Sequence, residues 1–388
     1  MKILVIANGY PTPQDPQWGC FERDQAIALQ KKGHDVSIIA IDTRYRKYKR
    51  KRGITIIHAD NLSVYWGYWI PTRLIGCING KLRDWVTCRL LDRVYLRYTK
   101  ENGTPDLIFA HFQRNIYFSM YLKRKYNIPV VGMEHWSVLM QNQLPAFVSQ
   151  RGRVSYPSVD KLLVVSKALL KSIQTKFGVD SEVVYDMLGP EFLDYEYRNT
   201  SRNEKFRFIA VGSLLPIKCY DMLIKAFAES GLHNEGCIIS IIGDGPERLK
   251  LEQTIEEYRL NDSVSLLGRR EKEEIVHALR ESDVFILSSK SETFGVACIE
   301  ALSQGLPCIA TKCGGPEEFV TEQDGVLIEP ENTNELAKTL CYIFNNYSSY
   351  NRKDISSRCL SRFSPQVIAE QLTHIFNDVI NQKKTDYE

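Results

Sequence analysis

Two carboxylates flank the predicted start of one helix in the C-terminal half of the chain. Glu292 lies in a small polar loop, 288–293, and Glu300 follows with seven residues between them. The helix is predicted to begin near Gly295 and to end at Gly305, so Glu300 would lie roughly 7–8 Å along its axis. Free N–H groups and the positive dipole end of a helix start favour anions. A nucleotide diphosphate laid across this start would therefore meet a carboxylate at each end.

A lysine and a glycine turn stand where they could serve the same site. Lys218 follows the predicted strand 206–211 at the junction of a loop and a helix, so its ammonium group could reach a phosphate. An ordinary surface lysine is the alternative. Gly243 opens the segment GDGP after the next predicted strand, which indicates a turn first and a ligand loop second. The ends of neighbouring parallel strands are where open sheets bind ligands.

Two histidines follow predicted strands in the N-terminal half. His135 stands beside Glu134 in the segment GMEHWS, and this polar strand end favours a functional role over a structural one. For His111 the two interpretations are equally open. Gly19 could let a ligand approach the backbone or could serve only a turn. Its loop, GYPTPQDPQWG, carries three prolines between its glycines and lacks the dinucleotide-binding fingerprint.

The elements that must position these residues alternate between strand and helix in both halves of the chain. This alternation predicts parallel sheets with right-handed crossovers, and 388 residues suit two domains. The pattern dissolves near 190–203. We therefore predict an N-terminal Rossmann-like domain at residues 1–190, a C-terminal Rossmann-like domain at 191–363, and a terminal helix and tail at 364–388.

Composition narrows the class of protein. An apolar content of 44% with 25% charged residues is typical of a soluble globular protein. No apolar run approaches the ~20 residues that span a bilayer, and the N-terminal apolar stretch is too short for a signal peptide. Ten cysteines form no Cys-x-x-Cys pair and no zinc-spaced cluster. We therefore expect a reduced cytoplasmic chain with no metal site.

Positive charge is concentrated in residues 44–100, which carry fourteen Lys and Arg against three Asp, although the whole chain has a net charge of only +3. The segment contains RYRKYKRKR, the aromatic stretch YWGYW and a predicted amphipathic helix at about 73–98. This combination favours a peripheral position on an anionic membrane. A helix packed on the core with a solvated basic face fits the pattern equally well. No nucleic-acid-binding motif accompanies it, so we expect no nucleic-acid partner.

The motifs resemble those of retaining glycosyltransferases of family four, the glycosyl transferases group 1. The resemblance rests on SETFGVACIEALSQGLPCIATKCGGPEEFV, supported by IANGYPTPQDPQWGCFERDQAIAL, GHDV, GMEHWS, VVSKAL, VGSLLPIK and IIGDGPE. It implies the GT-B architecture, in which two Rossmann-like α/β domains face each other across a cleft. It also implies that the final helix crosses back to the N-terminal domain.

The resemblance further implies a UDP- or GDP-sugar donor, no separate cofactor, and a saccharide or lipid-linked saccharide acceptor in surface polysaccharide or glycan biosynthesis. Glu300 would hold the ribose hydroxyls, and Glu292 would contact the sugar and phosphate. The implied catalytic residues are His135, Glu292 and Lys218. The implied donor-binding residues are Gly19, Gly212, Ser213, Lys218, Gly243, Thr293, Phe294, Gly295, Val296 and Glu300.

Two positions depart from the family pattern: Ser213 stands where many relatives carry Arg, and Cys219 stands where glycine is common. The chain has no Asp-x-Asp motif, and a helix start with Lys218 could take up the charge of a departing phosphate. The expected chemistry is therefore metal-independent, and the resemblance implies same-face substitution with retention. The alternatives are an NDP-sugar 2-epimerase of the same fold and a non-catalytic nucleotide-sugar-binding subunit.

Overall fold

The computed structural model describes residues 1–15, 17–42, 51–68, 80–195 and 205–385. It divides into two compact units. The first unit comprises Met1–Val165, Leu169–Tyr185 and Pro365–Glu388, and the second comprises Ser166–Ala168 and Asp186–Ser364. The predicted boundary at 190 lies a few residues beyond Tyr185, and most of the predicted linker, 196–204, lies outside the described residues.

The first unit is built on an eight-stranded sheet of order β3-β4-β2-β1-β5-β6-β7-β8. All neighbouring pairs are parallel except β3 and β4, which form an antiparallel hairpin. The strands are β1 Lys2–Ala7, β2 Asp35–Asp42, β3 Gly53–Ala59, β4 Leu62–Tyr68, β5 Leu107–His111, β6 Val130–Glu134, β7 Lys161–Val164 and β8 Glu182–Val183. The helices that connect them are α1 Cys20–Lys31, α2 Gly80–Asn102, α3 Phe112–Tyr126, α4 Ala146–Ser155 and α5 Lys167–Phe177.

The second unit carries an all-parallel six-stranded sheet of order β11-β10-β9-β12-β13-β14. Its strands are β9 Arg207–Val211, β10 Ile238–Ile242, β11 Val264–Gly268, β12 Val284–Leu287, β13 Cys308–Thr311 and β14 Gly325–Ile328. Its helices are α6 Tyr220–Ser230, α7 Arg248–Glu257, α8 Lys272–Arg280, α9 Val296–Ser303, α10 Thr333–Asn346 and α11 Arg352–Phe363. The short strands β12 and β13 are wholly buried, as expected of parallel strands covered on both faces.

The β3–β4 hairpin was not predicted from the sequence. Its two-residue turn is Asp60-Asn61, and both residues adopt positive φ, the conformation that a tight hairpin turn requires. Tyr65 belongs to the aromatic stretch YWGYW, for which the sequence left a membrane interface open. It is 1% exposed within β4, where its hydroxyl donates to Glu101 Oε2 at 2.7 Å. The interfacial interpretation is therefore wrong for Tyr65. Trp69 and the basic residues 44–50 lie outside the described part of the chain.

The last helix, α12 (Pro365–Thr385), belongs to the first unit, as predicted. Phe376 is fully buried, and its ring lies 5.0 Å from that of Phe109 on β5 in an edge-on arrangement. The Thr373 hydroxyl lies 2.8 Å from His34 Nε2, next to the start of β2. Helix α12 therefore completes the core of the first unit, although it follows the second unit in the sequence.

We expect Phe376→Ala to lower the free energy of unfolding by about 3–5 kcal/mol, because it leaves a cavity against Phe109. Urea denaturation followed by tryptophan fluorescence would measure the loss. Val367→Ala, on the same helix at a residue that is 37% exposed, should change it by less than about 0.5 kcal/mol. Equal losses in the two variants would contradict the burial of this helix.

Candidate functional site

The order of strands reverses once in each sheet, beside a central strand. In the second unit the chain runs from β9 outward to β10 and β11, then returns to place β12 on the other side of β9. In the first unit the same reversal lies between β1 and β5. Loops that leave adjacent strands in opposite directions open a crevice at the carboxyl end of the sheet, which is where such folds bind ligands. The predicted site residues lie in these loops.

Lys218 and Glu292 meet at the reversal in the second unit. The Lys218 ammonium group donates to Glu292 Oε1 at 2.5 Å, and the two side chains are 22% and 14% exposed. The Ser289 hydroxyl donates to the same oxygen at 2.6 Å. The Glu292 backbone N–H donates to the carbonyl of Cys313 at 2.9 Å. The structure thus brings together two residues that are 74 positions apart in the chain.

Backbone contacts between the two loops set the position of this pair. The Ser288 hydroxyl donates to the Lys218 carbonyl at 2.7 Å, and the Lys290 N–H donates to the Ile217 carbonyl at 2.8 Å. From β13, the Thr311 hydroxyl donates to the Ser289 carbonyl at 2.5 Å. The loops after β9, β12 and β13 therefore form one connected structure, and the Lys218–Glu292 pair lies on it.

Cys219 has a left-handed backbone conformation, with φ 50° and ψ 41°, at the N-terminus of α6. The conformation turns the chain from a short 3₁₀ segment, Pro216–Lys218, into the helix. A side chain in this region costs about 1 kcal/mol relative to glycine. This explains in physical terms why glycine suits the position. The cysteine itself adopts this left-handed conformation, and Lys218 directly before it contacts Glu292.

The glycines of the loops after β9 and β10 allow close packing. A Cβ atom added to Gly243 would lie 1.9 Å from the Gly212 carbonyl oxygen, and one added to Gly212 would lie 2.8 Å from the Tyr220 hydroxyl. The Leu214 N–H donates to the Asp244 carbonyl at 3.0 Å. The segment GDGP therefore packs directly on the segment GSLLPIK. Ser213 is exposed on this loop.

Helix α9 begins at Val296, and Gly295 precedes it in a left-handed conformation with φ 97°. Phe294 is 1% exposed and packs its ring against Phe319 at 5.1 Å, so it presents only its backbone to a ligand. A Cβ atom added to Gly315 would lie 1.9 Å from the Phe294 carbonyl oxygen, so the GGPEE loop also packs on the helix entry. Three further members of the predicted set are half-buried around this helix start: Thr293, Val296 and Glu300.

A pocket of about 440 Å³ lies at the ends of β10 and β11. It adjoins the GDGP turn, because the Gly243 N–H donates to the Gly268 carbonyl at 2.9 Å. This pocket was not predicted from the sequence. The only sequence feature that marks its position is the glycine that ends β11, which two arginines follow. The lining residues are Ile242, Leu267, Arg270, Glu273, Glu274, His277 and Ala278.

In the first unit, His111 and His135 stack at the ends of β5 and β6. His111 Nδ1 lies 3.2 Å from His135 Nε2, and the rings are 19° from parallel. His111 is fully buried, and this burial, with His135 beside it, lowers its pKa well below the usual value, so the ring is neutral near pH 7. His135 is half-buried. The neutral buried ring thus orients the more accessible one.

Glu134 lies fully buried beside this pair. Its Oε1 accepts a hydrogen bond from the Tyr156 hydroxyl at 3.0 Å, and Tyr156 in turn accepts from Gln113 Nε2 at 3.1 Å. Among the described residues, Glu134 Oε2 has no hydrogen-bond partner. Burial raises the pKa of this carboxyl to about 7, although the Tyr156 bond acts in the opposite direction.

Gly19 begins α1 with φ 77°, and a Cβ atom there would lie 2.3 Å from the Gly9 carbonyl oxygen. The loop after β1 is tied to the end of β5 through Asn115. The Asn115 amide donates to Asn8 Oδ1 at 3.2 Å and to the His111 carbonyl at 2.9 Å. The structure therefore places the Gly19 loop and the histidine pair at the same strand reversal.

Within the described residues, no group of three or more His, Cys, Asp or Glu side chains could hold a metal ion. None of the helices in that part of the chain is long and apolar enough to cross a membrane.

Comparison with known proteins gives matches in both halves of the chain. The family Glycosyltransferase Family 4 matches residues 23–186, and the family Glycosyl transferases group 1 matches residues 194–358. N-acetyl-alpha-D-glucosaminyl L-malate synthase of Bacillus anthracis is 28% identical over 99% of both chains. One component of human phosphatidylinositol N-acetylglucosaminyltransferase is 32% identical over 81% of this chain and 61% of its own length.

Solved structures show the same fold. The structure of Anabaena Alr3699/HepE in complex with UDP superposes with a TM-score of 0.74 over 97% of this chain and all of that one, at 19% identity. Both sheets of the present chain therefore correspond to an established GT-B architecture. Taken with the family matches on its two halves, this likeness shows that the chain belongs to the group 1 glycosyltransferases of the family-four type, with the GT-B fold.

Proposed function

We propose that this glycosyltransferase moves a sugar, with retention and without a metal ion, from a UDP- or GDP-sugar to a saccharide or lipid-linked saccharide. The observation that carries the proposal is the Lys218–Glu292 pair, held at 2.5 Å where the strand order reverses beside the start of α9. Support for the donor class comes from the Anabaena neighbour, whose structure contains UDP. Support for a lipid-linked acceptor comes from the human relative, which is named for transfer to phosphatidylinositol.

The pair provides a cation and a carboxylate that a donor can separate. A diphosphate lying over the start of α9 would draw the Lys218 ammonium group from Glu292 to its own oxygens, because the diphosphate carries two negative charges in total and Glu292 carries one. Glu292 would then accept hydrogen bonds from the sugar hydroxyls. Since position 213 is serine rather than arginine, Lys218 and the N–H groups of α9 would take up the charge of the departing phosphate.

The remaining donor contacts follow from the same placement. Glu300, one turn into α9, is proposed to hold the ribose hydroxyls. The pocket at the ends of β10 and β11 is large enough for a nucleobase and offers both charged and apolar walls. The glycines at 212 and 243 would keep the intervening loops close-packed rather than contact the sugar.

The first unit is proposed to bind the acceptor, with His135 near the transferred sugar and Gly19 near the phosphate. The stacked, neutral His111 would fix the orientation of His135. Retention would arise by same-face substitution through an oxocarbenium-like state, the departing phosphate accepting the proton of the acceptor. A cytoplasmic location, with an anionic membrane surface as a partner through residues 44–100, and a role in polysaccharide or glycan assembly belong to the same proposal.

The experiment that tests the proposal is a screen of UDP- and GDP-sugars for release of nucleoside diphosphate, with and without a panel of saccharide and lipid-linked acceptors. We expect acceptor-dependent release that is unchanged by EDTA, and a product whose anomeric configuration, read by NMR, matches that of the donor. An inverted product would overturn retention. Conversion of donor alone to its 2-epimer would identify an epimerase, and donor binding without turnover would identify a non-catalytic subunit.

We expect Lys218→Met to lower kcat/KM for the donor by about 10²–10³-fold, the usual effect of removing one group that stabilises a developing oxyanion. Lys290→Met is the matched control, because Lys290 lies in the facing loop but points to solvent, 58% exposed, and pairs with Glu331. Its kcat/KM should stay within about twofold of the wild type. Similar losses in both variants would show that general surface charge, not the Lys218–Glu292 pair, binds the diphosphate.

The buried carboxyl of Glu134 predicts a particular dependence of stability on pH. Its pKa is near its ordinary value of 4.5 when unfolded and about 7 when folded, so the folded protein holds an extra proton between these values. The free energy of unfolding therefore falls as the pH rises from about 4.5 to about 7, by at most roughly 3 kcal/mol from this residue. Glu134→Gln, which is always neutral, should lose this slope and exceed the wild type in stability at pH 8.

Urea denaturation at pH 5 and pH 8 would measure the difference. Glu256→Gln, an exposed glutamate on α7, is the control and should keep the slope of the wild type. Parallel profiles for the wild type and Glu134→Gln would contradict the burial of an ionisable carboxyl at this position.

A further inference from the structure

Helix α2 exposes a face on which basic and apolar side chains alternate. Between Lys81 and Lys100, every exposed residue is basic or apolar. The two carboxylates within this stretch are engaged elsewhere, since Asp84 pairs with Arg151 and Asp92 is buried against Lys125. The exposed residues are Lys81, Leu82, Trp85, Arg89, Arg93, Leu96, Arg97 and Lys100.

The spacing of these residues places most of them in one stripe. Leu82, Trp85, Arg89, Arg93 and Leu96 follow one another at three- and four-residue intervals, which is one side of a helix. The stripe is about 21 Å long at ~1.5 Å per residue. Trp85 is 55% exposed and Leu96 49% exposed, and the Arg89 guanidinium group lies 5.4 Å above the Trp85 ring.

The residues of the stripe are not part of the core, because α2 packs on the core with its opposite side. Leu90, Val94, Tyr95 and Tyr98 are buried there. The apolar residues of the predicted amphipathic helix therefore have two different environments. Those in the C-terminal part of α2 belong to the core, whereas Leu82 near its N-terminus is 48% exposed.

Helix α4 extends the exposed apolar surface. It lies beside α2, because Arg151 donates to Asp84 Oδ1 at 2.7 Å. Phe147 and Val154 occupy the same side of α4 as Arg151, and they are 51% and 50% exposed. The Arg151 guanidinium group also lies 6.0 Å from the Phe147 ring. We name the combined surface the α2–α4 face; its members are Leu82, Trp85, Arg89, Arg93, Leu96, Phe147 and Val154.

The composition of this face selects the kind of partner. Exposed aromatic and aliphatic side chains grouped on adjacent helices indicate an interaction surface rather than ordinary solvent exposure. The exposed carboxylate of α2, Glu101, pairs with Arg97 outside the named face. The arginines of the face, Arg89 and Arg93, therefore complement a partner that has an apolar interior and a negatively charged boundary. Anionic lipid bilayers have this combination, and tryptophan, phenylalanine and arginine are the residues that settle at their interface.

We propose that the α2–α4 face lies on an anionic membrane surface. Trp85, Leu96 and Phe147 would enter the boundary between headgroups and acyl chains, and Arg89 and Arg93 would contact lipid phosphates. This inference deepens the proposed function and rests on it in one respect, since a lipid-linked acceptor would reach the enzyme from the same surface.

The test is flotation of the full chain with phosphatidylcholine vesicles containing 30 mol% phosphatidylglycerol, at about 0.1 M salt, beside vesicles of phosphatidylcholine alone. We expect binding to the anionic vesicles that weakens with salt, and a blue shift of tryptophan fluorescence. Arg89→Gln/Arg93→Gln should lower the partition coefficient by roughly thirtyfold, since each basic residue near such a surface contributes about 1 kcal/mol. Trp85→Ser/Phe147→Ser should lower it by at least tenfold and reduce the blue shift.

Two controls match these variants. Lys31→Gln/Lys171→Gln removes two exposed charges from α1 and α5, and Leu249→Ser removes a side chain on α7 that is 73% exposed. Both should float like the wild type. Binding that is equal on neutral vesicles, or unchanged in both α2–α4 variants, would overturn the proposal. So would tighter retention on single- or double-stranded nucleic acid than on vesicles.

The result of the vesicle experiment does not depend on whether the glycosyl-transfer proposal is correct. Flotation requires neither donor nor turnover, so Lys218→Met should bind vesicles as the wild type does while losing activity. Conversely, the α2–α4 variants should keep the nucleoside diphosphate affinity of the wild type in calorimetry. A protein that transfers sugar but does not float would overturn the membrane contact, including the membrane partner proposed for residues 44–100, and would leave the glycosyl-transfer proposal standing.

Discussion

The ion pair between Lys218 and Glu292 depends on a reversal of strand order, and the candidate donor site depends on both. Because β9 is central and β12 returns to its other side, two loops far apart in sequence leave the sheet next to each other. Hydrogen bonds from Ser288 and Lys290 to the carbonyls of the facing loop fix their separation. The charges therefore lie on a preformed backbone, and a ligand can exchange one partner without rebuilding the loops. Preorganised charge of this kind is what stabilises a leaving phosphate most effectively.

Glycine and left-handed backbone recur around the candidate donor site for a steric reason. The loops approach so closely that a single methyl group at 243 or 315 would overlap a carbonyl oxygen. Cys219 shows the opposite case, in which a side chain is accommodated at a strained turn. Family motifs rich in glycine thus report on backbone packing as much as on ligand contact. This distinction explains how Ser213 and Cys219 can depart from the pattern while the Lys218–Glu292 geometry persists.

Much of the fold was predictable from the alternation of apolar runs and helical periods, since most strands and helices lie within a few residues of their predicted bounds. The β3–β4 hairpin was missed because its aromatic strand imitates an interfacial segment, and only long-range packing of Tyr65 distinguishes the two. The roles of His111 and Glu134 could not be distinguished from the sequence alone. Their burial and mutual distances arise from tertiary structure, and the pKa of each follows from that burial. The pocket lined by Arg270 and His277 lacked a motif altogether.

The return of α12 to the first unit has a consequence for biosynthesis. The N-terminal sheet can form while the chain is still emerging from the ribosome, but the apolar surface around Phe109 stays uncovered until α12 has been made. The second unit must therefore fold while the first still exposes part of its core. Premature termination before α12 would leave that surface exposed and the truncated chain prone to aggregation, and such chains would be ready substrates for quality control.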